Sequence, residues 1–211
     1  MPDAERGAFQ ILSMDGGGIK GLFSAAVLAH IEEDCGVRVR DHFDLITGTS
    51  TGGIIALGLG FGLSPREIVQ FYCEHGPVIF QDAIRARGLT HWVRRKFPAA
   101  PLRSALQKCF GDATLAKSTK RLVIPSYNLG EDDVYLFKTP HHPRLKRDFK
   151  VPMWKVAMAT SAAPTYFPAF REVDHVRLVD GGVWANNPVM VGIVEAVSML
   201  DVPLDAIRVL S

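Results

Sequence analysis

The stretch FDLITGTSTGGIIALGLG, residues 43–60, places Ser50 between two glycines in the pattern Gly-x-Ser-x-Gly. Apolar residues precede the pattern and a longer apolar run follows it. This order predicts a buried strand over 43–47, a sharp turn at the serine and a buried helix over 53–63. A serine on such a turn exposes its hydroxyl at the end of a strand, where it can act as a nucleophile. A small residue in a glycine-rich loop would give the same pattern, so the assignment needs support from other segments.

A second glycine-rich segment, DGGGIKG at residues 15–21, follows the apolar segment 9–14. Helical periodicity comes after it, which again predicts a strand, a turn and a helix. The apolar positions that recur at helical spacing are Ile19, Leu22, Phe23, Ala26, Val27 and Ile31. Consecutive glycine amides at a helix N-terminus form a donor surface for an anion. The anion would be a phosphate or the oxyanion of a tetrahedral acyl intermediate.

The same glycines also fit the dinucleotide-binding spacing G-x-G-x-x-G, which keeps a nucleotide- or phosphate-binding module as an alternative. The acidic residue that such a site needs for a ribose could only be Asp34 or Asp41. The phosphate-binding pattern that ends in Lys-Ser/Thr does not match, because Lys20 is followed by Gly21.

A third motif, DGG at residues 180–182, follows the predicted strand 176–179. The carboxyl ends of parallel strands meet at one edge of a sheet, so Asp15, Ser50 and Asp180 are expected to lie close together. An isolated DGG is more often a simple turn. Together with the two other motifs it indicates a site.

A proton acceptor for Ser50 is the remaining requirement of a nucleophilic site. Seven histidines are present, but none follows Asp180, as the usual hydrolase order would require. His141 and His142 lie in a basic, proline-bounded segment and are expected to be solvated. A Ser50–Asp180 dyad is therefore the simpler hypothesis.

Alternating strand and helix patterns continue to the end of the chain and predict a three-layer α/β sandwich with a mostly parallel central sheet. The composition, with 47% hydrophobic and 22% charged residues, is that of a globular protein. A net charge of +2 does not favour a nucleic acid polymer as partner. Three widely spaced cysteines match no metal pattern and fit a cytoplasmic protein. The uncharged stretch 45–65 is broken by glycines and is interpreted as a buried strand and helix, not a membrane span.

The three motifs, in this order, resemble the patatin-like phospholipase family over residues 8–211, with the chain stopping before the usual end of the family domain. The resemblance implies a serine lipid acyl hydrolase that acts on membrane glycerophospholipids without a metal or other cofactor. It implies Ser50 as nucleophile and Asp180 as base, with the amides of Gly16, Gly17 and Gly18 as oxyanion hole. The residues that complete the motifs are Asp15, Lys20, Gly21, Gly48, Gly52, Gly181 and Gly182. Lys20 stands where the family usually has arginine, which removes bidentate pairing at that position.

Within the family, HFDLITGTSTGGIIALGLG is similar to a bacterial subgroup that includes antiviral effectors switched on by a cyclic nucleotide. The resemblance implies a cyclic nucleotide activator and a protein acting peripherally on the membrane, and a homodimer is a further expectation. The basic segment 139–150 is either a nucleotide site or a plain surface loop. The segment 85–97 carries Trp92 and Phe97 among basic residues, and it either faces an anionic membrane or is an ordinary solvated surface. A catalytically silent lipid-binding relative is the other alternative.

Overall fold

The computed structural model describes residues 7–79, 98–164 and 166–211. A six-stranded sheet forms the centre of this described part. Its strands are β1 (Phe9–Met14), β2 (Leu45–Gly48), β3 (Arg121–Asn128), β4 (Asp133–Lys138), β5 (Leu178–Asp180) and β6 (Ile207–Leu210). The order across the sheet is β4-β3-β2-β1-β6, with β6, β1, β2 and β3 parallel and β4 antiparallel.

Helices cover both faces of the sheet, so the predicted three-layer α/β sandwich is confirmed. The helices are α1 (Gly21–Cys35), α2 (Thr51–Phe61), α3 (Pro65–Ile79), α4 (Ala99–Phe110), α5 (Met153–Thr160), α6 (Gly182–Ala185) and α7 (Val189–Leu200). Alternate strand residues point to opposite faces. Leu12 and Ile46 pack in the large core that α1 to α5 share, whereas Ile11 and Leu45 pack in a smaller core under α7.

The strand β5 differs from its prediction. It was expected over 176–179 as a member of the parallel sheet, but it runs antiparallel to β3, with Asp180 opposite Ser126. Because β4 occupies the other edge of β3, β5 lies on the same side as β2 and continues its line beyond Gly48. The carboxyl ends of β2 and β5 therefore point towards each other. The two motifs meet as predicted, but through strands that face end to end.

Helix α1 also differs from the usual amphipathic arrangement, in which the apolar side faces the core. Its buried side consists of the small residues and one leucine, Gly21, Ala25, Leu28 and Ala29. Of the predicted apolar positions, Ile19, Phe23, Val27 and Ile31 are exposed. Small residues face inwards because α1 packs closely against α3: a Cβ atom on Gly21 would lie 3.5 Å from the hydroxyl oxygen of Tyr72 on α3.

Two local corrections concern helix boundaries. Helix α2 begins at Thr51, two residues earlier than predicted, directly after Ser50. Helix α4 forms although the sequence there contains Pro98 and Pro101, which favour an irregular chain. Pro101 falls in the first turn of α4, where a backbone N–H has no helical partner to lose.

Candidate active site

Ser50 occupies the tight turn between β2 and α2. Its φ of 56° and ψ of −123° lie in a region that residues with a side chain rarely adopt. A Cβ atom at Gly48 would overlap the carbonyl oxygen of Gly52, and one at Gly52 would overlap the carbonyl oxygen of Met14. Both glycines of the motif are therefore required by close backbone approach, and the turn is pressed against the end of β1.

The Ser50 hydroxyl donates a hydrogen bond to Asp180, with 2.7 Å between Oγ and Oδ2. Asp180 is 5% exposed, and its second oxygen, Oδ1, accepts the N–H of Gly182 at 2.7 Å. The Asp180 backbone N–H donates to the carbonyl oxygen of Ala162 at 3.0 Å, which fixes the strand end. Gly181 lies against Pro125 on β3. The structure thus brings the predicted serine and aspartate into direct contact.

The environment of Asp180 makes its carboxylate basic. Burial raises the pKa of Asp180 above the ordinary value of 3.8, and hydrogen bonds from Ser50 and Gly182 oppose this only in part. Within the described residues, no lysine, arginine or histidine forms an ion pair with it. A buried carboxylate without a counter-ion accepts a proton more readily than a solvated one.

The glycine-rich loop lies directly beside Ser50. A Cβ atom on Gly16 would be 3.4 Å from the Ser50 Cβ. The Gly16 N–H donates to the carbonyl oxygen of Asn186 at 3.0 Å, and the Asn186 side-chain amide donates back to the Gly16 oxygen at 3.2 Å. This finding alters the predicted three-amide oxyanion hole, because one of its N–H groups already has a partner in the protein.

Two amides of the loop remain for an anion. The Gly17 N–H makes a long 3.3 Å hydrogen bond to the Thr51 hydroxyl oxygen. Gly18 has a φ of 58°, and its N–H has no partner among the residues that the structure describes. The loop is held from outside by Asn187, whose side-chain amide donates to Asp15 Oδ1 at 2.9 Å.

Three polar residues that support the site were not singled out from the sequence. The Thr160 hydroxyl accepts the Ser50 N–H at 3.1 Å and donates to the Pro125 carbonyl at 2.5 Å. The Thr49 hydroxyl donates to the Ala185 carbonyl at 2.6 Å, and Asn186 pairs with the glycine loop. The one signal for Thr160 is a hydroxyl that follows the apolar run 156–159, where a buried polar group requires partners.

The remaining motif residues border the site without touching the Ser50–Asp180 pair. Asp15 and Lys20 are exposed, and Lys20 immediately precedes α1. Gly21 is buried, and a Cβ there would be 3.1 Å from the Thr51 Cβ. The positive charge of Lys20 is therefore placed at the surface, next to the glycine loop.

The other predictions about polar segments have different outcomes. His141 is not solvated: its Nε2 lies 3.0 Å from Glu195 Oε1, and its side chain is buried. The segment 85–97 lies outside the described residues. Within the described ranges, no group of three or more histidine, cysteine, aspartate or glutamate side chains is arranged to hold a metal ion. None of the helices in those ranges has the length and apolar content of a transmembrane segment.

The fold and the site together define an α/β sandwich protein with a serine–aspartate pair at the end of its central strands. The sequence model of the family described as patatin-like phospholipase matches residues 12–193. The chain belongs to this family, as the motifs predict.

Comparison with known proteins supports the bacterial resemblance. The chain is 37% identical to a cGAMP-activated phospholipase of Pseudomonas aeruginosa over 205 residues, covering 96% of this chain and 61% of the relative. It is 39% identical to a cGAMP-activated phospholipase of Vibrio cholerae over 202 residues, covering 88% of this chain and 57% of the relative. The chain thus spans less than two thirds of the length of these relatives. The crystal structure of VipD from Legionella pneumophila has a similar fold, with a TM-score of 0.54 and 12% identity over 84% of this chain and 46% of that one.

Proposed function

We propose that the protein is a serine hydrolase that cleaves acyl esters of membrane glycerophospholipids. The observation that carries the proposal is the 2.7 Å hydrogen bond between the Ser50 hydroxyl and the buried Asp180 carboxylate. Membership of the patatin-like phospholipase family and the phospholipase relatives supply the substrate class.

In the first half of the proposed reaction, Ser50 Oγ attacks the ester carbonyl carbon while its proton passes to Asp180. The Gly18 N–H holds the developing oxyanion, and the Gly17 N–H joins it by leaving its weak bond to Thr51. The N-terminus of α2, directly after Ser50, adds a favourable dipole. The alcohol then leaves with the proton from Asp180, and the acyl group stays on Ser50.

In the second half, water attacks the acyl–Ser50 ester and gives its proton to Asp180. The tetrahedral intermediate collapses, the proton returns to Ser50 Oγ and the fatty acid is released. The cycle requires no cofactor, since every proton transfer uses the same carboxylate.

Regulation by a cyclic nucleotide is a further part of the proposal, supported by the two relatives named as cGAMP-activated phospholipases. In this proposal the protein works in the cytoplasm, attacks the membrane peripherally and serves antiviral defence. The homodimer stays a prediction. In the segment 139–150, Arg147 stacks 4.1 Å over the Tyr135 ring and pairs with Asp148, so this arginine is already engaged within the protein.

Both alternatives are less well supported. A nucleotide module would present all the glycine amides to a phosphate, but the Gly16 N–H is bonded to Asn186 and the loop lies against Ser50. A silent lipid-binding relative has no need for a strained serine that is hydrogen-bonded to a buried carboxylate, since backbone strain and burial both cost stability.

The test is intact-mass detection of a fluorophosphonate adduct, with and without cyclic GMP–AMP. The unaltered protein is expected to gain one adduct, and Ser50→Ala is expected to gain none. Asp180→Asn is expected to gain one adduct more slowly than the unaltered protein. Ser161→Ala is the matched control, because the Ser161 hydroxyl is buried without a hydrogen-bond partner among the described residues. An adduct that persists in Ser50→Ala would refute the assignment of the nucleophile.

A further inference from the structure

Large apolar side chains are exposed immediately beside the glycine loop. Phe23, in the first turn of α1, is 74% exposed, and Ile19 precedes that helix. The first turn of α1 follows directly on the loop that lies against Ser50. An exposed phenylalanine forgoes a large hydrophobic stabilisation, so a group of such residues indicates a surface that becomes covered.

The end of α3 adds to the same apolar surface. Gly76 packs against the tip of Ile19, and Val78, two residues further on, is 60% exposed. This contact places the carboxyl end of α3 beside the glycine loop, although α3 begins at the other end of α2.

Apolar residues also flank Asp180 on its other side. Helix α6 begins at Gly182, whose N–H binds Asp180, and it exposes Val183 and Trp184. The Trp184 indole N–H donates to the Ser126 carbonyl at 2.9 Å, which anchors one edge of the ring while the residue remains exposed. Met190, three residues after the Asn187 that holds Asp15, is 63% exposed.

We propose that these side chains form a docking rim that contacts the phospholipid bilayer while Ser50 attacks its ester. The docking rim consists of Ile19, Phe23, Val78, Val183, Trp184 and Met190. This inference rests on the proposed function and extends it by assigning the surface that meets the substrate aggregate.

The position of the docking rim argues for a bilayer as its occupant. It borders the glycine loop that lies against Ser50 on one side and helix α6, which follows Asp180, on the other, so a lipid surface that delivers an ester to Ser50 is expected to lie against it. Its chemistry is suitable, because Phe and Trp enter the headgroup region and exposed Lys20 lies among them to meet phosphate.

The experiment compares the double variant Phe23→Ser/Met190→Ser with Leu204→Ser. Leu204 is a matched control: it is 67% exposed and lies just before the amino end of β6, away from the carboxyl ends of the strands that carry the site. Binding to vesicles of phosphatidylethanolamine and phosphatidylglycerol is measured by flotation in a Ser50→Ala background, with and without cyclic GMP–AMP. The double variant is expected to bind the vesicles about tenfold more weakly than the parent. Leu204→Ser is expected to bind them with the same strength as the parent.

Hydrolysis separates this inference from the proposed function. With Ser50 present, the ratio of vesicle hydrolysis to hydrolysis of a water-soluble short-chain ester is expected to fall about tenfold in the double variant and to stay constant in Leu204→Ser. No hydrolysis of either substrate by the parent, with or without cyclic GMP–AMP, would refute the proposed function, whereas flotation would still test the rim. Three results would overturn the docking rim. The double variant could lose hydrolysis of both substrates equally, or the parent could fail to bind vesicles. The double variant could also change from a dimer to a monomer while its vesicle binding stays the same.

Discussion

Two buried carboxylates, Asp180 and Glu195, lie in this protein in opposite electrostatic surroundings. Asp180 is 5% exposed and Glu195 is 2% exposed. Among the residues that the structure describes, the Asp180 carboxylate receives hydrogen bonds only from the Ser50 hydroxyl and the Gly182 N–H, both uncharged. Glu195, on α7, is bonded to Lys138 at 2.5 Å and to His141 at 3.0 Å.

The difference in partners gives opposite pKa shifts at similar burial. Burial raises the pKa of Asp180, and its two neutral donors do not compensate. Burial would also raise the pKa of Glu195, but the hydrogen bonds and charges of His141 and Lys138 outweigh it, and the pKa is lowered from 4.5. An acid without a counter-ion is suited to proton transfer, whereas an acid between two basic groups holds elements together. Through these two contacts Glu195 links α7 to Lys138 at the end of β4 and to His141 in the segment after β4.

The largest expected effect comes from Asp180→Asn. The amide keeps the size of the side chain but cannot take the proton of Ser50, so hydrolysis of a soluble ester is expected to fall about 10³- to 10⁴-fold. The matched variant Glu195→Gln should keep its activity per folded molecule. Comparable losses in the two variants would remove the distinction between the carboxylates.

Next in size is the effect of Glu195→Gln on stability. Lys138 and His141 would lose their buried anion, and the free energy of unfolding at neutral pH is expected to fall by about 3 kcal/mol. Because the native pKa of Glu195 is lowered, the stabilisation is complete above pH 4.5 and is lost as the pH falls through the native pKa. Urea unfolding at several pH values measures this, and the two proteins should converge in acid. A constant difference at every pH would argue against the ion pairs.

The pH dependence of activity tests the raised pKa of Asp180. Only the ionised form of Asp180 can accept the proton, so kcat/KM for a soluble ester is expected to fall on acidification at a pH above 3.8. Circular dichroism on the same samples verifies that the protein stays folded. Glu195→Gln should keep the same acid limb, and a limb at or below pH 3.8 would contradict the raised pKa.

The smallest effect is a gain in stability in Asp180→Asn. The native state disfavours the ionised form of Asp180, so its removal is expected to raise the free energy of unfolding by about 1 kcal/mol at neutral pH. Because the native pKa of Asp180 is raised, the destabilisation is absent below pH 3.8, and it develops as the pH rises from 3.8 through the native pKa. Loss of stability in this variant would show that Asp180, like Glu195, has a structural role.

Much of the fold and the centre of the site could be predicted, because the relevant signals are local. Apolar runs that lead into glycine motifs mark β1, β2 and β5. The turn at Ser50 admits only glycine at Gly48 and Gly52, since the backbone itself passes there. The same local chemistry identified Ser50 and Asp180, which the structure brings into contact.

Contacts between distant segments could not be predicted. The supporting hydrogen bonds of Thr160 and Asn186 cross 110 and 170 residues of chain, and threonine or asparagine in a single sequence carries no sign of such partners. The same holds for His141, whose partner Glu195 is 54 residues away.

The linear chain was sufficient to specify most of the elements, their order and the two side chains of the predicted dyad, because backbone sterics and hydrophobic periodicity act over a few residues. The direction of β5, the exposed side of α1 and the occupied Gly16 amide follow from how the elements pack. Each depends on which surface of an element finds a neighbour, and that choice is made by the packed molecule as a whole.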